Sequence, residues 1–209
     1  MTDQEQRIID RCKALGIGRC GLGSIRNFIA AAFYHVGLPG TLDADKHVAF
    51  NSAIRFATNR IACQGRDGPS IWQSRVISRK ALDRSREPDI TPAEWAGLVT
   101  FEHQDPVLAV QTWIGITPSV SVDDVVLRLL DHPGVVVLRE EEQAIDNKFK
   151  SSGSPHDRYL SAGIEVVETE EGIAAYFRSI APRARAIRRR KYHTSFVPFE
   201  SENSDKITT

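Results

Sequence analysis

Residues 182–196 read PRARAIRRRKYHTSF. Six cations, Arg183, Arg185, Arg188, Arg189, Arg190 and Lys191, fall within nine residues, and Tyr192 and His193 follow directly. Several cations on one surface are what phosphate binding needs, because each neutralised phosphate releases condensed counterions. Arginine suits that role, because its planar fork bonds phosphate bidentately and stays charged at any physiological pH. On a helix, Arg185, Arg188 and Arg189 would share a face. On an extended chain the charges would splay to both sides. Tyr192 adds a ring on which a base can stack. The competing reading is a solvated stretch that offsets the acidic EVVETEE of residues 165–171 or meets an acidic protein partner.

A second group carries carboxylates. Asp146 and Lys148 stand at D-x-K spacing, with Asp131 upstream and Glu140, Glu141 and Glu142 between. This resembles the pattern of PD-(D/E)xK nucleases, and the resemblance implies a carboxylate-held divalent ion with a lysine steadying charge. In that family the D-x-K piece lies on a buried strand. Here it falls in EEEQAIDNKFK, whose pattern is that of a polar helix, so a solvated helix without metal is expected. The spacing from Arg188 to His193 has the length of an R-x4-H ribonuclease signature. That signature belongs in a helical bundle, whereas a strand is expected to begin here. The glycines of GIGRCGLGS, residues 16–24, precede a helix as phosphate loops do. No strand precedes them and no G-K-[ST] is present, so they are expected to let two helices turn tightly. No G-x-S-x-G occurs, and the six histidines form no ligand pattern.

Composition sets the frame for these groups. A chain of 209 residues that is 41% hydrophobic and 26% charged has the balance of an ordinary globular protein. Its longest apolar runs, such as FIAAAF at residues 28–33, fall well short of the ~20 residues of a membrane span. The acidic, amphipathic start MTDQEQRIID does not resemble a secretory signal. A cytoplasmic protein is expected, with no membrane contact. Cys12, Cys20 and Cys63 are odd in number and lack C-x-x-C spacing, which argues against a disulfide framework or zinc site and for buried or half-buried thiols. The 27 basic and 27 acidic residues balance, but without residues 183–191 there remain 21 basic against 27 acidic, a net −6. Positive charge is therefore concentrated in one place.

Periodicity supplies the elements. Ile8, Ile9, Cys12 and Leu15 share one face of a first helix. Ile25, Phe28, Ile29, Ala32, Phe33 and Val36 form the stripe of a second, which Ala30 and Ala31 widen, so that it buries either in the core or against a partner. Thr41 caps a third helix, with Asp43 and Asp45 in its first turn and Phe50, Ile54, Ala57 and Ile61 inward. QGRDGP at 64–69 breaks the chain. IWQSRVIS at 71–78 has a strand's alternation, and the polar RKALDRSREPD at 79–89 reads as an exposed connector. Thr91 with Pro92, and Asp105 with Pro106, start two short helices that bury Trp95, Leu98 and Val99, then Val107, Val110 and Ile114. Ser121 and Asp124 cap a helix through Val125, Val126, Leu129 and Leu130. VVVL at 135–138 is a buried strand. A helix with Ile145 and Phe149 inward follows, then a strand over GIEVVE at 163–168, a helix through Ile173, Tyr176, Phe177 and Ile180, and an edge strand over TSFVPFE at 194–200.

These elements predict an α+β fold: a helical N-terminal half followed by a smaller mixed α/β C-terminal half with a short sheet. The expected divisions are a helical region over 1–64, a connector with a possible strand over 65–90, an α+β region over 91–200 and a disordered tail over 201–209. The expected function is that of a non-enzymatic regulator or adaptor associated with nucleic acid, contacting phosphate through Arg183, Arg185, Arg188, Arg189, Arg190, Lys191 and Tyr192. No catalytic residue, metal or cofactor is expected. A metal-dependent nuclease and a protein-interaction subunit, pairing through the apolar face of the second helix as a homo-oligomer or with another protein, are the alternatives.

Overall fold

A computed structural model of the chain describes residues 1–37, 39–40, 43–66, 68–149 and 154–179, with the backbone alone for 146–149 and 155–156. The class is α+β, as the periodicity predicts: helices dominate the N-terminal half, and a four-stranded mixed sheet follows.

Three helices open the chain: α1 (Asp3–Ala14), α2 (Arg19–Val36) and α3 (Asp43–Ala62). Thr2 caps α1 by accepting from the Glu5 amide. Ile8, Cys12 and Leu15 are buried on its inner face. Gly16, at φ 73°, ends it in the left-handed region. Gly18 then caps α2, and Gly21 meets Gly65 at the end of α3, where a Cβ on Gly21 would stand 2.6 Å from the Gly65 Cα. The glycines thus serve helix turning and close helix packing.

The stripe of α2 is narrower than its composition predicts. Ile25, Ile29 and Ala32 are buried, but Phe28 is 40% exposed and Ala30 and Ala31 face outward. Only one side of α2 meets α3 and α8, and Phe28 lies at the edge of that contact, stacked on Phe56 with centroids 3.5 Å apart.

Next come α4 (Ser70–Gln73), β1 (Val76–Ser78), α5 (Arg79–Ser85), α6 (Pro92–Leu98) and β2 (Val99–Glu102). Two expectations need correction here. The first half of IWQSRVIS is helical, because Pro69 leads directly into a turn whose Ser74 amide donates to Ser70 O. RKALDRSREPD is not an exposed connector. Ser78 caps α5, and Ala81, Leu82 and Ser85 are buried. Trp95, fully buried, lies over that helix and donates from Nε1 to Ala81 O at 3.0 Å. Thr91 and Glu94 complete a capping box, with Pro92 in the first turn.

The chain continues through α7 (Val107–Ile116), α8 (Val122–Asp131), β3 (Val135–Leu138), α9 (Arg139–Phe149), α10 (Pro155–Ser161) and β4 (Val166–Glu168), and residues 173–179 are helical. Asp105 does not cap α7, since Pro106 holds the capping position without a side-chain bond. Ser121 and Asp124 form the expected capping box of α8. Ile145 is fully buried, as expected. The Phe149 side chain, Ile180, the Thr41 cap, the 194–200 strand and the 201–209 tail lie outside the described residues.

The sheet order is β2-β3-β1-β4, with β1 and β3 parallel and both outer pairs antiparallel. Successive residues point to opposite faces of a strand. Val76, Val135 and Val137 accordingly join the core built from α1, α2, α3, α7 and α8, while Ile77 and Val136 join a second cluster with Trp95, Leu82, Ile173 and Phe177. The N-terminal helices and one face of the sheet thus share one core. No helix among the described residues is long and apolar enough to cross a membrane.

Candidate functional site

The Arg183–Lys191 run, with Tyr192 and His193, lies outside the described residues. What the structure places is the approach to it. The helical stretch 173–179 ends on Arg178 and Ser179, just before that run. Arg178 lines a groove of about 320 Å³ with Gln64, Arg66, Trp72, Gln73 and Arg75.

Backbone contacts position these side chains. A Cβ on Gly172 would stand 2.6 Å from Gln73 O, so glycine lets the 173–179 helix sit directly on α4. The Thr169 amide donates to Arg75 O at 2.8 Å, and the Thr169 hydroxyl donates to the same carbonyl at 3.0 Å. Arg75 reaches beneath the Gly16 turn and donates to Ala14 O at 3.3 Å. Arg66 and Arg178 are exposed and make no ion pair among the described residues. Glu171 is the one carboxylate lining the groove. The arrangement presents three guanidinium groups beside a partly exposed tryptophan ring, a combination suited to phosphate and to stacking.

The alternative sites are not assembled. Asp131, at the end of α8, is held by Arg7 at 3.1 Å and Arg11 at 3.4 Å. Glu141 is buried, accepting from Ser78 Oγ at 2.5 Å and from the Leu138 amide at 3.0 Å. Asp146 and Lys148 lie on α9, so the D-x-K piece is helical, as the sequence pattern predicts; their side chains are outside the described residues. Among the described residues no group of three or more His, Cys, Asp or Glu side chains is placed to hold a metal. Cys12 and Cys63 are buried, but Cys20 is exposed, contrary to the expectation for all three thiols. Burial pushes the Cys12 thiol up, against the pull of Arg26.

Across the molecule, β2 leads into a segment held by two other arginines. Arg158 of α10 is 1% exposed and donates to His103 O, Gln104 O and Glu102 Oε1 at 3.1, 3.0 and 2.8 Å. Arg128 of α8 grips the buried Asp105 carboxylate with Nε and Nη2, and its guanidinium lies 4.6 Å from the Trp113 ring centroid. Burial, then Arg55 and Arg158, push the His103 pKa down to about 4, so this imidazole is neutral at physiological pH.

Sequence reasoning missed Arg66, Arg75 and Arg178. Arg178 had a signal, since it begins the basic run five residues earlier. Arg66 and Arg75 had none, because only the fold brings them to Arg178. No family model, curated protein or solved structure matches this chain.

Proposed function

We propose that the protein is a nucleic-acid-associated regulator or adaptor that contacts phosphate through its arginine-rich segment, residues 183–191, and through the groove of Arg66, Arg75 and Arg178. The observation that carries this reading is that Arg66 and Arg178, exposed and without ion pairs among the described residues, open onto the stretch leading into that segment. Cations held as structural glue are normally neutralised by nearby carboxylates. These retain their charge for a ligand. Trp72 beside them offers a stacking face for a base.

The test is a binding titration of single- and double-stranded oligonucleotides at two salt concentrations. Replacing Arg188, Arg189, Arg190 and Lys191 by alanine should weaken binding and flatten its salt dependence, by about 0.9 in log–log slope for each duplex phosphate no longer contacted. An unchanged titration overturns the reading.

A protein-interaction subunit is the second reading, favoured by the outer side of α2, where Phe28, Ala30, Ala31 and Tyr34 are exposed. Absence of oligonucleotide binding together with a concentration-dependent mass would select it.

A further inference from the structure

A cavity of about 420 Å³ lies between α3, α7, α9, α10 and the segment after β2. Its volume is within the range of small-molecule sites. Three side-chain atoms on residues lining it are out of contact with solvent and have no hydrogen-bond partner: His103 Nε2, Gln111 Oε1 and Arg158 Nε. Folded proteins leave few buried polar atoms unsatisfied, since each costs about 1–3 kcal/mol. Arg158 is the most telling of the three, because its side chain is 1% exposed.

Charge and shape narrow the chemistry. Arg158 is neutralised by Glu102 at 2.8 Å. Arg55 donates from Nε to Asn51 Oδ1 at 2.9 Å, while its terminal nitrogens have no partner among the described residues. Arg55 and Arg158 both bear on the His103 ring. The donors therefore gather toward His103, with Arg55, Arg158 Nε and His103 Nε2 around one end. Gln111 Oε1 and the Glu142 carboxylate are acceptors. Phe101, Val107 and Leu108 supply apolar wall.

We propose that this cavity binds a small ligand with an anionic head, carboxylate or phosphate, on a compact apolar body that also carries a hydrogen-bond donor. Arg55 and His103 hold the head. Gln111 Oε1 accepts from the donor, and the body lies against Phe101 and Leu108. Glu142 repels a second anionic group, which limits the ligand to one. The site is separate from the arginine groove and stands whether or not the protein binds nucleic acid.

Ligand-observed NMR on the full chain tests this with 4-hydroxybenzoate, phenyl phosphate and 4-hydroxybenzamide, each at up to about 10 mM. At least one anion should bind, and the amide, which has the same body without the charge, should bind at least about ten-fold more weakly. Stronger binding of phenyl phosphate marks a phosphate site, and stronger binding of 4-hydroxybenzoate a carboxylate site. Arg55 is exposed, so Arg55→Met should fold, with circular dichroism as the check, and should lose the preference for the anion. Arg55→Lys should keep part of it. Equal binding of the amide, full anion binding by Arg55→Met, or no binding of either anion overturns the proposal.

Discussion

Arginines do two different jobs on opposite sides of this molecule. Around the β2–α7 segment, Arg158 and Arg128 arrive together with acceptors: Glu102, Asp105 and the carbonyls of His103 and Gln104. There guanidinium groups are mortar. In the groove by α4, Arg66 and Arg178 arrive with Glu171 as the one carboxylate in the lining, and neither forms an ion pair among the described residues. The same residue type thus fixes a loop in one place and leaves charge available in the other. What differs is the company that the fold brings.

The sharpest way to break this comparison is at Arg158. Arg158→Met removes a buried cation, takes the Arg158 ion pair from Glu102 and leaves two carbonyls without this donor. Breaking a buried pair by removing one partner costs roughly 3–5 kcal/mol. Urea unfolding should show a loss of that order. A loss below about 1 kcal/mol would mean that Arg158 is no clamp.

The groove has one rigid element of its own. Gly172→Val would drive a Cβ onto the Gln73 backbone, with Gln73 O, C and Cα all within 2.8 Å. The cost should be roughly 1–3 kcal/mol, as for other overpacked contacts, with weakened oligonucleotide binding as the 173–179 helix shifts. A stable variant that binds normally would separate the groove from function.

Acid should probe the clamped side selectively. The ordinary histidine value is 6.5, and burial with Arg55 and Arg158 lowers His103 to about 4. The unfolded chain therefore takes up the proton first. The stabilisation is complete above pH 6.5 and is lost as pH falls toward 4, at up to about 1.4 kcal/mol per unit. His132, lowered chiefly by burial, acts in the same direction. Asp124 is held down by its hydrogen bonds to Ser121, so its contribution is lost only as pH falls below the ordinary 3.8. Unfolding measured between about pH 7 and about pH 4.5 should show a shallower slope in His103→Asn than in the wild type. Equal slopes would show that His103 does not carry the effect.

The smallest expected effect completes the contrast. Arg66→Ala and Arg178→Ala should each change stability by less than about 0.5 kcal/mol, because these surface side chains hold nothing. Each should nevertheless lower oligonucleotide affinity and reduce its salt slope. A stability loss comparable to that of Arg158→Met would mean that the two sets of arginines do the same job.

Local signals in the sequence were enough for most helices and for β3. The capping boxes at Thr91 and Ser121, the stripe through Ile8 and Cys12, and the VVVL run each identify an element from its own residues, because caps and periodicity act within a few positions. Where the sequence reading failed, it weighed polarity without the partner. Residues 79–89 look exposed until Trp95 covers Ala81. Asp105 looks like a cap until Arg128, far along the chain, claims its carboxylate. Phe28 looks buried until α3 is seen to cover only one side of α2.

By itself the sequence determined the α+β class, the concentration of positive charge at residues 183–191 and the absence of nucleotide-loop and serine-hydrolase motifs. Composition and local spacing are sufficient for such statements, because a motif's chemistry is carried by neighbours in the chain. Tertiary structure alone decided that Arg75 and Arg66 stand beside Arg178, and that His103, Gln111 and Arg158 surround one cavity. Those residues come from segments far apart in the chain, and their placement follows from strand order and helix packing, which no window of sequence encodes.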